Sequence, residues 1–137
     1  MPDLYVDGGV IQSNPSRLGG AWAWCLVDRD RIVRRDSGII EPGDMGVALV
    51  TNNQTELLAA VRGLEAMSSD WAGTLYTDSK VTLARLQGGE RFNGVPNWLR
   101  IRTLELRRKR RWVVALVAGR RTQQPRDRMR LGVLAGV

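Results

Sequence analysis

The feature that most constrains this chain is a change of hydrophobic period near Thr51. Before it, Leu4 to Asp7, Ala21 to Val27 and Arg31 to Ile40 read as strands. Turn signals separate them at Gly8-Gly9, Ser13-Asn14-Pro15-Ser16, Gly19-Gly20 and Asp28-Arg29-Asp30. Three successive strands with short turns pair as an antiparallel meander. From Thr51 the pattern becomes helical, with Leu57, Leu58, Val61 and Leu64 recurring at the spacing of an amphipathic helix that runs through Met67. A strand from Trp71 to Thr77 follows, then a helix from Ser79 to Leu86 that Gly88-Gly89 ends. A loop through Gly94-Val95-Pro96 leads to a third helix, Asn97 to Arg108, and the apolar run Trp112 to Val117 reads as a buried fifth strand. A helix between strands forces a crossover, so the fourth strand should lie parallel to a neighbour. The expected fold is α/β, a five-stranded mixed sheet in the order βββαβααβ, flanked by helices.

A chain of 137 residues with 43% hydrophobic content is expected to form a single domain over residues 1–137. From about residue 120 the composition is atypical: Arg120, Arg121, Arg126, Arg128 and Arg130 crowd together before the apolar stretch Leu131 to Val137, and a short terminal helix is expected to start near Pro125. No apolar run reaches about 18 residues and no N-terminal leader pattern is visible, so a cytoplasmic protein without a membrane span is expected. Cys25 lies in the apolar stretch Ala21 to Val27 and should be buried.

Lys and Arg total 21 against 14 acids, a net charge of +7, which suits a polyanionic partner. The chain has no histidine. Ser-His-Asp and Cys-His catalysis, His-based zinc sites and a histidine general base are therefore excluded together. Chemistry must come from carboxylates, hydroxyls, cationic side chains or bound metal.

Most of the acids lie in or beside turns, where local hydrogen bonding accounts for them. Three stand apart. Asp7 ends the first strand before two glycines, where it could form an Asp-Gly turn or project from a strand end beside a loop open to a bulky ligand. Glu56 lies three residues after Asn53, a spacing that would also serve a capping box. Asp78 closes the fourth strand and opens the next helix, where it too could be a cap. Taken together, all three fall where one α/β sheet can gather them. Converging carboxylates repel one another unless cations sit among them, and oxygen ligands favour Mg²⁺ or Mn²⁺. A pair of such ions can hydrolyse a phosphodiester without histidine.

The segments Asp7-Gly8-Gly9, Thr51-Asn52-Asn53-Gln54-Thr55-Glu56-Leu57 and Thr77-Asp78-Ser79, in that order, resemble the type 1 ribonuclease H family over roughly Pro2 to Gly119. The resemblance implies a metal-dependent endonuclease that cleaves the RNA strand of RNA/DNA hybrids, with Asp7, Glu56 and Asp78 coordinating two Mg²⁺ or Mn²⁺ ions. It further implies that Gly8, Gly9, Asn14, Asn52, Asn53 and Gln54 contact the hybrid, and that Ser79 and Thr77 flank the metal site, with Ser79 reaching a phosphate. Recognition by shape and 2′-hydroxyl fits a sequence-tolerant enzyme. A monomer with no required protein partner is expected.

Two positions depart from the family pattern. In Val117-Ala118-Gly119-Arg120, Arg120 stands where the family places a mobile histidine, and an arginine cannot shuttle a proton near neutral pH. Asp127 is the only carboxylate after Glu105 and is the candidate fourth catalytic and metal-binding acid, although family spacing points nearer Arg130. Two alternatives stay open: a catalytically weakened hybrid-binding module on the same fold, and another ribonuclease H-like nuclease with a different substrate. The basic segment Arg100 to Arg111, seven cations against Glu105, reads either as a solvated helix face or as a phosphate-binding patch beside the active edge. Trp22 and Trp24 should share a strand face, Trp71 and Trp112 should be core, and Trp98 should pack rather than stack on a nucleic acid.

Overall fold

The computed structural model describes residues 1–117. Strands β1 (Asp3–Val10), β2 (Gly20–Asp28) and β3 (Arg31–Ile40) are followed by a one-turn helix α1 (Pro42–Met45), the long helix α2 (Asn52–Ala66), strand β4 (Thr74–Thr77), helices α3 (Lys80–Gln87) and α4 (Asn97–Arg108), and strand β5 (Val113–Leu116). The sheet order is β3-β2-β1-β4-β5. β1, β2 and β3 pair antiparallel, whereas β4 pairs parallel with both β1 and β5. The expected meander and crossover are both present. Only α1 has no counterpart in the sequence reading, because four residues are too few to display a period.

The two sheet faces bury different sets. On one, Leu4 and Val6 of β1, Trp24 and Leu26 of β2, and Leu75 of β4 form one core with Leu57, Leu58, Val61 and Leu64 of α2 and with Trp71, Leu86, Leu99, Trp112 and Val114. The opposite face carries a smaller cluster of Ala23, Cys25 and Val27, joined by Tyr5 and Ile32. Trp22 lies on the same face of β2 as Trp24, as expected, and its ring lies against Gly38.

Two expectations need correction. Helix α2 is not half-exposed: Gln54 to Val61 are all buried, because the sheet covers one side of it while α3 and α4 close over the other. Strand β5 is not buried throughout, since Val113 is 57% exposed while Val114 is 8% exposed. Among the described residues it forms a sheet edge with β4 as its one neighbour, so its residues alternate between core and surface.

Candidate active site

Parallel pairing of β1 with β4 brings two of the three acids to one edge. Tyr5 stands opposite Tyr76, their rings stacked with centroids 4.9 Å apart. Two residues further along each parallel strand, Asp7 and Asp78 come level. The third acid arrives from above. β1 does not end at Asp7 but continues through Gly8 and Gly9 to Val10, opposite Trp22, Ala21 and Gly20 of β2. A Cβ on Gly8 would lie 2.4 Å from the carbonyl carbon of Thr55 and 2.7 Å from the backbone nitrogen of Glu56. Gly8 is thus the point where the first turn of α2 rests directly on β1, backbone against backbone. That contact sets Glu56 beside Asp7.

Asp7, Glu56 and Asp78 each offer a carboxylate oxygen, and these oxygens all lie within 4.8 Å of one another. Asp7 and Glu56 are buried, whereas Asp78 is exposed and opens the cluster to solvent. Burial pushes the Glu56 carboxyl from its ordinary 4.5 up to about 9, with the negative charges of Asp7 and Asp78 and a hydrogen bond with Asp7 adding to the rise. The backbone N–H of Gly8 donates to Glu56 and partly offsets it. Glu56 Oε2 is buried without a hydrogen-bond partner. Three hard oxygen donors, an orphaned buried carboxylate oxygen and mutual repulsion together fit a divalent cation.

Local capping does not explain these acids. The N-cap of α2 is Thr51, not Asn53: its Oγ1 accepts from Gln54 N–H at 3.2 Å, and Gln54 Oε1 accepts from Thr51 N–H at 2.9 Å. The capping box therefore closes on Gln54 and leaves Glu56 as the fifth residue of the helix, more than a full turn past the cap. Asp78 does not cap α3 either, because Ser79 Oγ takes that place by accepting from Thr82 N–H at 3.1 Å.

Comparison with known proteins agrees with this geometry. No protein-family model matches the chain. A ribonuclease H of Campylobacter curvus is 34% identical over 96 residues, 70% of this chain and 51% of the relative. One of Rhodopirellula baltica is 42% identical over 78 residues, 57% of this chain and 44% of the relative. The chain thus spans about half the length of the curated relatives it matches. Among solved structures, RNase H1 from the halophilic archaeon Halobacterium salinarum superposes with a TM-score of 0.73 at 26% identity, over 99% of this chain and 98% of that one. An RNase H1 solved in complex with an RNA/DNA hybrid shares the fold, with a TM-score of 0.65 at 19% identity, over 94% of this chain and 93% of that one. The chain is similar to ribonucleases H in both sequence and fold.

The other positions implied by the ribonuclease H resemblance divide into exposed and internally engaged groups. Asn52 and Asn53 are exposed in the first turn of α2, next to the carboxylates. A Cβ on Gly9 would meet nothing within 4 Å, so the strand there lies open. Asn14 Oδ1 accepts from Asn52 N–H at 3.1 Å, tying the loop after β1 to the helix start. Gln54 is buried, with Oε1 in the capping box and Nε2 donating to Gly94 O at 2.7 Å. Ser79 caps α3, and the buried Thr77 Oγ1 accepts from Ser79 N–H at 3.1 Å. Arg120, Asp127 and the expected terminal helix lie outside the described residues.

Sequence reasoning missed Arg85. It is buried on α3 and donates from Nε to Arg91 O at 3.2 Å and from Nη2 to Asn93 O at 3.1 Å, shaping the loop that carries Gly94 to Gln54. Nothing in the sequence marks a helical arginine as buried, since most such residues face water. Trp98 stays outside the core and is 37% exposed. Its Nε1 donates to Met45 O at 2.7 Å, strapping α4 to α1. Of the two readings of the basic segment after Arg100, a patch beside the active edge does not match its position. β4 and β5 run parallel, with Val113 opposite Thr74 and Leu116 opposite Thr77, so Arg107 to Arg111 precede β5 at the end of the sheet remote from Asp78.

Proposed function

We propose that this chain hydrolyses the RNA strand of RNA/DNA hybrids with the help of two divalent ions, Mg²⁺ or Mn²⁺. The observation that carries the reading is the convergence of Asp7, Glu56 and Asp78 at positions where capping no longer accounts for Glu56 or Asp78. These three carboxylates would hold the ions. Divalent ions at such a site supply a water of lowered pKa and neutralise charge at the leaving oxygen.

The chain's own residues supply placement. Asp7 is fixed by β1 and Glu56 by the Gly8 contact, so both carboxylates are held before any ligand arrives. Asp78, exposed at the end of β4, faces incoming substrate. Asn52 and Asn53 offer amides beside the acids, suited to ribose hydroxyls and minor-groove edges, and the open strand at Gly9 lets a nucleic-acid backbone come close. Asn14 acts by holding the start of α2 in place. Gln54 acts in the same way, through Thr51 and Gly94 rather than through substrate. Asp127 is the candidate for a fourth acid. Support for a hybrid substrate comes from the ribonuclease H relatives, from the fold shared with an RNase H1 solved on an RNA/DNA hybrid, and from the net charge of +7.

The test is an assay of labelled RNA/DNA hybrid, duplex DNA and duplex RNA in Mg²⁺ and in Mn²⁺, comparing the wild-type chain with Asp78→Asn. Cleavage confined to the RNA of the hybrid and lost in Asp78→Asn is the expected result. Hybrid binding without cleavage in either metal would overturn the catalytic reading and leave a binding module.

A further inference from the structure

The run Arg107-Arg108-Lys109-Arg110-Arg111 is not absorbed by the catalytic edge. Val113 is level with Thr74, so Arg111 lies two residues before that level and Asp78 four residues after it. Six residues at about 3.3 Å each separate the run from the acids by about 20 Å along the strand direction. Two of its members are anchored. Arg107 Nη1 donates to Arg85 O and Gly89 O, both at 3.1 Å, and Arg110 Nη1 donates to Leu86 O at 3.2 Å while its guanidinium lies 5.6 Å from the centre of the Trp112 ring. The carbonyls at the C-terminal end of α3 thereby hold two guanidinium groups in place, each with further N–H donors. Arg108, Lys109 and Arg111 are exposed around them.

Among the described residues the ion pairs are Arg62–Glu65, Arg102–Glu65 and Arg102–Glu105, and none includes a member of this run. Five adjacent cations without an acidic partner repel one another, and a polyanion relieves that repulsion. Between α3 and α4 lies an open notch of about 480 Å³ lined by Gln87, Leu104, Arg107, Arg108 and Arg110. We propose that this notch and run form a second, sequence-independent binding surface for the phosphate backbone of a nucleic-acid duplex, separate from the catalytic edge. Four of the five cations are arginines, whose planar fork matches phosphate oxygens in pairs. The adjoining Trp112 is buried, so the run offers no aromatic group for insertion into a lipid surface.

The surface is independent of catalysis, and its test reads binding alone. A labelled duplex DNA of about 24 bp, long enough at about 3.4 Å per pair to extend well past 20 Å, is titrated in EDTA over a range of salt by fluorescence anisotropy. The combined variant Arg108→Ala, Lys109→Ala, Arg111→Ala should weaken binding about tenfold to a hundredfold near 0.1 M salt. The slope of log K against log salt should become shallower by about 2 to 3, at close to 0.9 per lost phosphate contact. The charge-preserving Arg108→Lys, Arg111→Lys variant should retain most of the salt slope, and an unchanged melting temperature shows that either variant is folded. Equal affinity and slope in wild type and alanine variant would overturn the proposal. So would a variant that keeps duplex binding but loses binding to vesicles containing phosphatidylserine, which would assign the surface to anionic lipid.

Discussion

Glu56 shows most directly how environment changes the meaning of a residue. In the unfolded chain it releases its proton near 4.5, whereas in the fold it keeps it up to about 9. Across that interval the folded state binds the extra proton, so stability falls as pH rises. Below 4.5 both states are protonated and the full stability is present; above 9 the loss is complete. In EDTA, the melting temperature should therefore fall from pH 5 to pH 9, and Glu56→Gln should flatten that trend. A divalent ion competes with the Glu56 proton, so Mg²⁺ or Mn²⁺ should raise the melting temperature more at pH 8 than at pH 6. Calorimetric scans with and without metal check both outcomes. Gly8 and Gly9 read alike in sequence but differ in the structure. Gly8→Ala forces a methyl into the Thr55 carbonyl and should cost about 1–3 kcal/mol in urea unfolding, with loss of cleavage as Glu56 is displaced. Gly9→Ala, with open space around it, should leave unfolding nearly unchanged.

At the scale of elements, the long α2 shows what periodicity conveys and what it omits. Leu57, Leu58, Val61 and Leu64 announce a helix and one of its faces, and all four are buried in the main core. The sequence spacing points to Asn53 as the cap, two residues past Thr51. Thr51, Asn52 and Asn53 can each cap, and the choice of Thr51 is fixed by Gln54 closing the box while also reaching Gly94 across 40 positions of sequence. Thr51→Ala should therefore cost about 1 kcal/mol in chemical unfolding, and Asn53→Ala should cost much less. If Asn53→Ala lowers hybrid cleavage while leaving stability unchanged, its place is with the substrate. Gln54→Ala should instead lower stability and activity together, because it frees the loop and the helix start at once.

Across the whole molecule, charge is distributed in a way the linear order conceals. Seven cations between Arg100 and Arg111 look like one patch. In the structure Arg100 is held by Asn97 Oδ1, Arg102 lies between Glu65 and Glu105, and the remaining five gather at the end of the sheet away from the acids. Hybrid affinity should fall steeply with salt, and Arg102→Ala should change that slope little while lowering stability by no more than about 1 kcal/mol, because its pairs are solvent-exposed.

What the sequence determined by itself was the kind of protein: the order of strands and helices, the mixed sheet, the exclusion of histidine chemistry and the three acids. These follow from local period, turn residues and composition, which each segment carries without reference to the rest. What only the tertiary structure decided was which of several equivalent local roles each residue takes. β1 continues past Asp7 because β2 pairs with it there, Gly8 is reserved for a helix rather than a turn, Ser79 caps so that Asp78 need not, and parallel pairing of β4 and β5 sends the basic run to the far end. Each choice depends on a partner distant in sequence, and a local pattern contains no information about which partner will arrive.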